Sequence, residues 1–277
     1  MNVSKITAVF FSPTGGTKKV ISYITKLIAE KLNLPFSFIS YTLPKNREGV
    51  YSFAEDELVI FGSPIQAGRL PNKLLEYVQS GFKGNNTPVV PIVVFGNRNF
   101  DNGLAELTGE LGSHGFVPFA AAAMASRHAF SDKIGTGRPD EEDLKKLAEF
   151  AEKVANYVLS NKEFSKVTVP GIWPDAPYYK PTGVNGEATV FLKAKPQTKA
   201  DLCDHCGACA KACPMGAIDM ENTSLVPGTC IKCQACVRTC HTKAKYFDDP
   251  QFLSHVKMLE INYQKRFEPC FVLPNAE

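Results

Sequence analysis

The sequence predicts an α/β fold, a five-stranded parallel sheet wrapped on both faces by helices, followed by a small cysteine-rich domain. Two observations carry this. Over residues 1–163, short apolar runs alternate with amphipathic ones, the pattern of a sheet buried on both faces whose strands are joined by helices. Cysteine is absent from residues 1–202 and then appears eight times between Cys203 and Cys240, as two copies of one spacing, C-x2-C-x2-C-x3-C.

The elements follow in order. "KITAVFFS" (5–12) is a first strand, and "TKKVISYITKLIAEKL" (17–32) is a helix with Val20, Ile21, Ile24, Leu27 and Ile28 on one face. "FSFIS" (36–40) and "ELVIFGSP" (57–64) are the second and third strands. A helix from Leu70 to Ser80 carries Pro71 near its start and Gly81 just past its end. "TPVVPIVVFGN" (87–97) reads as a fourth strand despite two prolines, and "GFVPFAAAAM" (115–124) as a fifth, with a helix from Asn102 to Leu111 between them. The helix over 138–161 has Pro139 at its start, acids in its first turn and an apolar stripe of Leu144, Leu147, Ala151, Val154 and Val158.

Residues 164–199 change texture. Their prolines and glycines exclude a long helix, so this is a connector, and Trp173, Tyr178 and Tyr179 predict that it packs against a surface. "EATVFLKAK" (187–195) reads as a short strand. The cysteine-rich domain spans 200–250, and 251–277 form a C-terminal extension with no assigned role.

With 277 residues, 44% hydrophobic content and a net charge of +3, the chain has the composition of a globular protein of about two domains. That charge supplies no drive toward nucleic acid or an anionic membrane. No apolar run reaches the length of a spanning helix, and "MNVSKITAVFFSPTGG" lacks the features of a secretory signal. A cytoplasmic protein without membrane insertion is the expectation, and there clustered cysteines point to metal rather than disulfides.

Zinc sites use C-x2-C pairs, but three cysteines at successive two-residue gaps do not suit one tetrahedral ion. Such a run suits an iron–sulfur cluster. From about Ala200 to Asp249 the chain resembles a bacterial two-cluster ferredoxin, small residues Gly207, Ala208, Ala210 and Ala235 included. In that family the fourth cysteine of each run ligates the other cluster. The resemblance therefore implies one 4Fe-4S cluster on Cys203, Cys206, Cys209 and Cys240, and a second on Cys230, Cys233, Cys236 and Cys213. His241 stands where the family has proline, and an imidazole near a cluster is expected to alter its potential. His205 reads as a loop residue and Cys270 as a buried structural thiol.

The loop after the first strand, "SPTGGT", offers hydroxyls, free N–H groups and the positive end of a helix. It is neither a Walker A loop nor a dinucleotide fingerprint. It resembles the phosphate loop of flavodoxins. Together with "FGSPIQAGRLP" (61–71) and "FGNRNFDNG" (95–103), it extends that resemblance over roughly residues 4–160. The resemblance implies a flavodoxin-like sheet of order 2-1-3-4-5 and FMN as cofactor. Ser12, Thr14, Gly15, Gly16 and Thr17 would hold its phosphate, and Ser63, Pro64, Gly96, Asn97, Asn99 and Phe100 would lie around the ring. His128, in the loop after the fifth strand, is the candidate catalytic proton donor, with Arg127 beside it.

The combination resembles iron–sulfur flavoproteins that fuse these two modules. Electron transfer between the clusters and a non-covalently bound FMN is the expected function, with an external ferredoxin or reductase as redox partner. A flavin-dependent oxidoreductase with its own organic substrate, and a non-enzymatic redox sensor or interaction module, are the competing expectations. Nothing in the sequence decides whether the chain dimerises.

Overall fold

The computed structural model of the chain describes residues 3–274. Its strands are β1 (Lys5–Phe10), β2 (Phe36–Ser40), β3 (Tyr51–Phe53), β4 (Glu57–Pro64), β5 (Phe82–Gly84), β6 (Thr87–Phe95), β7 (Phe116–Pro118), β8 (Ala121–Ala125), β9 (Gln197–Thr198), β10 (Lys245–Tyr246) and β11 (Cys270–Val272). Its helices are α1 (Gly16–Leu32), α2 (Asn72–Ser80), α3 (Gly103–Ser113), α4 (Glu141–Leu159), α5 (Ala208–Lys211), α6 (Ala235–Thr239) and α7 (Pro250–Asn262).

The main sheet runs β2-β1-β4-β6-β8, all parallel, which is the flavodoxin-like order 2-1-3-4-5. Successive residues of each strand feed opposite faces. Ile6, Ala8 and Phe10 of β1 meet Val20, Ile24 and Ile28 of α1 and Leu147 and Val154 of α4. Val9 and Phe11 face the other way, with Leu74 and Val78 of α2 and Leu104 and Leu107 of α3. Each of the larger of these side chains, fully buried, stabilises the fold by about 1.5–3 kcal/mol. A capping box starts α4: the Asp140 carboxylate accepts the Asp143 N–H at 3.0 Å, and that of Asp143 accepts the Asp140 N–H at 3.1 Å.

Three expectations about strands are corrected. The fifth strand (115–124) is two strands, β7 and β8. The break at Phe119 and Ala120 lies beside Pro91 of β6, which has no N–H to offer a ladder. Segment 187–195 is not a strand; an isolated bridge joins Thr182 to Ala188, and the small ladder forms instead between β9 and β10. The sheet also has a seventh strand, at its β8 edge. β11, from the C-terminal extension, pairs there antiparallel, with Cys270 opposite Ala123. Cys270 is thus half-buried in an edge strand, not enclosed in a core.

The connector packs along the first domain. Val167 donates its N–H to Pro118 O at 2.9 Å. The Trp173 indole rests on Gly109 of α3, where a Cβ would lie 2.3 Å from the ring, and its Nε1 donates to Glu110 Oε1 at 3.1 Å. The Tyr178 hydroxyl reaches Leu70 O at 3.3 Å. Helix α7 closes the joint between parts: Phe252 meets Phe130 and Phe247 at 4.9 Å each and the connector's Phe191 at 5.5 Å. Among the described residues no helix is long and apolar enough to cross a membrane.

Candidate functional site

Three loops leave the carboxyl edge of the sheet, where folds of this order bind ligands. In the first, Ser12 Oγ accepts the Lys18 N–H at 2.9 Å, while the Ser12 N–H donates to Thr42 Oγ1 at 2.9 Å. Gly15 caps α1 at φ 88°, and the first turn of the helix holds no acid. Thr14 and Gly15 are exposed, and Thr17 is buried. Gly16 lies against the loop after β8: a Cβ there would sit 2.7 Å from Ser126 Oγ. This loop fits a phosphate, offering backbone N–H groups and the positive end of α1.

The second loop turns tightly, with Gln66 and Arg69 exchanging backbone hydrogen bonds of 2.9 and 3.2 Å. Ser63 is buried and donates to Pro64 O at 3.1 Å. In the third loop the side chains expected around the ring are engaged within the protein. Asn97 donates from Nδ2 to Tyr263 O at 2.9 Å and to Lys265 O at 3.0 Å; its Oδ1 accepts from Arg138 Nη1 at 2.8 Å and the Phe267 N–H at 3.2 Å. Its amide is saturated by the C-terminal extension. Asn99 accepts the Asp101 N–H at 2.9 Å and makes a turn. Phe100 is a buried plug between Phe95 at 5.5 Å and Phe267 at 6.2 Å. Residues 263–267 pack against Asn97 and Phe100.

The two cysteine runs fold alike. His205 and Lys232 occupy the left-handed region at matching positions, φ 57° and 55°, and so do Gly207 and Gln234, φ 71° and 66°. These turns wrap each C-x2-C-x2-C loop, and the short helices α5 and α6 follow them. Backbone N–H groups point at sulfur, Ala217 to Cys213 Sγ at 3.3 Å and Lys232 to Cys230 Sγ at 3.4 Å. One cavity is lined by Cys213, Cys230, Cys233 and Cys236, with Ile218 and Phe247. Three of these cysteines come from the second run and one from the first. Burial pushes the Cys236 thiol up to about 12 and raises Cys233 further, so thiolates here require a cationic partner. The other four differ in exposure: Cys209 is buried, Cys203 and Cys240 are half-buried and Cys206 is exposed. His241 Nε2 lies 3.0 Å from Asp204 Oδ2, so this imidazole is engaged by a carboxylate.

Residues 202–244 match the family model of the 4Fe-4S dicluster domain. This segment is a 4Fe-4S dicluster domain. The chain is therefore a redox protein that joins a flavodoxin-like domain to a 4Fe-4S dicluster domain. No curated protein matches the chain. Among solved structures, an archaeal flavodoxin is 16% identical, with TM-score 0.39, over 56% of this chain and 99% of its own. The rubredoxin oxygen:oxidoreductase of Desulfovibrio gigas is 15% identical, with TM-score 0.40, over 57% of this chain and 37% of its own. An FMN-bound flavodoxin mutant from Fusobacterium nucleatum is 10% identical, with TM-score 0.37, over 56% of this chain and 98% of its own. The fold assignment rests on strand order and direction rather than on these low scores.

The dicluster domain lies on the carboxyl edge of the sheet. Met215, two residues after Cys213, and Ile231, between Cys230 and Cys233, pack against the core cluster that holds Phe11, Tyr41 and Phe61. Arg47, after β2, donates to Pro214 O. Arg238, between Cys236 and Cys240, donates to His128 O at 3.1 Å and Ala129 O at 3.0 Å, and pairs with Asp132. The quartet of Cys213, Cys230, Cys233 and Cys236 thus faces the sheet, and exposed Cys206 belongs to the other. None of these bridging residues carried a local signal. Each is an ordinary residue whose partner lies roughly a hundred positions or more away.

His128 does not fit the part of proton donor. Its ring is closed in by Gly96, where a Cβ would lie 2.3 Å away, and by Phe130 at a centroid distance of 5.1 Å. Its Nδ1 accepts the Phe130 N–H at 3.1 Å. Burial, with His255, Arg98 and Arg238 nearby, pushes the imidazole down to about 4. It is neutral at pH 7. The unfolded chain protonates it near its ordinary 6.5, so between pH 6.5 and about 4 the unfolded state binds more protons. Its contribution to stability is full above pH 6.5 and is lost as the pH falls toward 4. His128→Phe is expected to flatten the urea-midpoint profile over that window; a profile parallel to wild type would contradict this burial account.

Proposed function

We propose that the chain is an electron-transfer iron–sulfur flavoprotein, passing electrons between its two 4Fe-4S clusters and a non-covalently bound FMN. The observation that carries this reading is the docking of the dicluster domain on the carboxyl edge of the flavodoxin-like sheet, over the loops that suit a flavin. Cys213, Cys230, Cys233 and Cys236 hold the inner cluster, a set supported by their shared cavity. Cys203, Cys206, Cys209 and Cys240 hold the outer one. Ser12, Thr14, Gly15, Gly16 and Thr17 bind the FMN phosphate through amides and hydroxyls, with Ser63, Pro64 and Gly96 in the adjoining loops. When bound, each cluster supplies one-electron chemistry, and FMN joins one-electron to two-electron chemistry.

The protein's own side chains set the route. Exposure at Cys206 leaves the outer quartet open to an external ferredoxin or reductase. Met215 and Ile231 exclude water from the inner contact, and Arg238 clasps the domain to the β8 loop. The neutral, enclosed His128 favours this reading over an oxidoreductase that protonates an organic substrate there.

Iron and flavin analysis of anaerobically purified protein tests the proposal. About eight irons and one FMN per chain are expected; a flavin-free protein that ignores added FMN would defeat the flavin half. Gly16→Val is expected to weaken FMN binding at least about tenfold, because its side chain meets Ser126 and crowds the loop's amides. Titration of apoprotein with FMN, followed by flavin fluorescence quenching, reads the effect. Unchanged affinity would place the phosphate elsewhere.

A further inference from the structure

Arg47 differs from every other arginine in the chain. Of the seven arginines, Arg69, Arg98, Arg127, Arg138, Arg238 and Arg266 each meet a carboxylate. Among the described residues Arg47 meets none. It follows a short 3-10 turn (Pro44–Asn46) after β2, fixed by the Arg47 N–H on Pro44 O at 2.9 Å and by Asn46 Nδ2 on Ser40 O at 2.8 Å. Its side chain leaves the flavodoxin-like domain, and Nη2 donates to Pro214 O, on the residue that follows Cys213. Its Nη1 is buried without a hydrogen-bond partner, and so are the hydroxyls of Tyr41 and Tyr77, whose rings stand 5.8 Å apart. Burial pulls the guanidinium down from its ordinary value, while Tyr77, Tyr41 and Cys213 oppose that pull.

A partly buried cation with an unmatched N–H is costly unless an anion stands nearby. The Pro214 contact sets the guanidinium one residue from Cys213 of the inner quartet, whose negative charge acts on it. We propose that Arg47 is a potential-setting residue, through which the flavodoxin-like domain raises the reduction potential of the cluster bound at Cys213. This rests on the ligand assignment proposed above. A cluster on four thiolates is anionic, and one-electron reduction by the external redox protein adds one more negative charge. A fixed cation beside it favours the reduced form, and partial burial limits screening by salt. Beside the outer quartet, Arg238 stands two residues before Cys240 but is paired with Asp132, and the flank also carries the Asp204–His241 pair. The charge at Arg47 therefore makes the inner cluster the easier to reduce and draws electrons from the exposed side toward the sheet.

The test is an EPR-monitored redox titration of anaerobically purified protein, with dithionite as reductant and iron content measured alongside. Arg47→Gln keeps an amide for Pro214 O and removes the charge. One of the two cluster potentials is expected to fall, by about tenfold in its one-electron equilibrium or about 59 mV. The other potential and the iron content stay in place, and Arg47→Lys restores most of the shift. Iron-replete Arg47→Gln with both potentials unmoved, or with both moved equally, overturns the proposal. So does a glutamine variant that fails to fold while the lysine variant folds with a potential far from wild type, since Arg47 is then a structural clasp. Wild-type protein that holds no iron after anaerobic reconstitution overturns the ligand assignment, and the role of Arg47 with it.

Discussion

Replacing Cys213 with serine is expected to halve the iron content, from about eight atoms per chain to about four. The cluster lost is the one on the second cysteine run, although Cys213 belongs to the first. Its place in the cavity with Cys230, Cys233 and Cys236 is the reason. EPR spectra of reduced protein discriminate the alternatives. Cys213→Ser and Cys230→Ser should leave one and the same residual signal, and Cys203→Ser and Cys240→Ser the complementary one. If Cys213→Ser instead matches Cys203→Ser, each run holds its own cluster and the crossed assignment is wrong. Stability should fall with the iron. The domain's own core is little more than Cys209, Ala210, Ile218 and Cys236, too small to fold without the free energy of metal binding. The variant is therefore expected to be cut by protease within residues 200–250 under conditions that spare the sheet.

The second large effect is expected at Arg138. Its guanidinium meets Asp143 through two hydrogen bonds of 2.9 and 2.5 Å, with both side chains almost fully buried. It also donates to Asn97 Oδ1 at 2.8 Å and to Phe267 O at 2.6 Å. It therefore ties α4, the third loop and the C-terminal extension together. Arg138→Met leaves a buried carboxylate short of one partner, a change that costs about 3–5 kcal/mol in comparable sites. Arg266 still reaches Asp143 at 2.7 Å, which puts the expected loss near the lower end, about 3 kcal/mol. Urea unfolding measures it. Lys146→Ala, at an exposed pair with Glu142 and Glu268, is the control and should leave the midpoint in place. A midpoint equally unmoved by Arg138→Met would mean that the buried network is not what holds the extension down.

The amino-acid sequence by itself determined the local and the periodic. Apolar runs such as "ELVIFGSP" mark strands buried on both faces, and the acids after Pro139 mark the start of α4. The spacing of eight cysteines marks the dicluster domain. These are legible because a strand, a helix cap and a metal-binding loop are each built from neighbours within a few residues. Only the tertiary structure decided that Asn97 meets Tyr263 and Phe267. The same holds for β11 as an added edge strand, for Phe100 as a plug, and for Arg47 and Arg238 as the bridges between modules. Each of those outcomes depends on which of many possible distant partners a polar or aromatic group meets. Chain closure over such separations is set by the packing of the whole molecule, and no residue spacing records it.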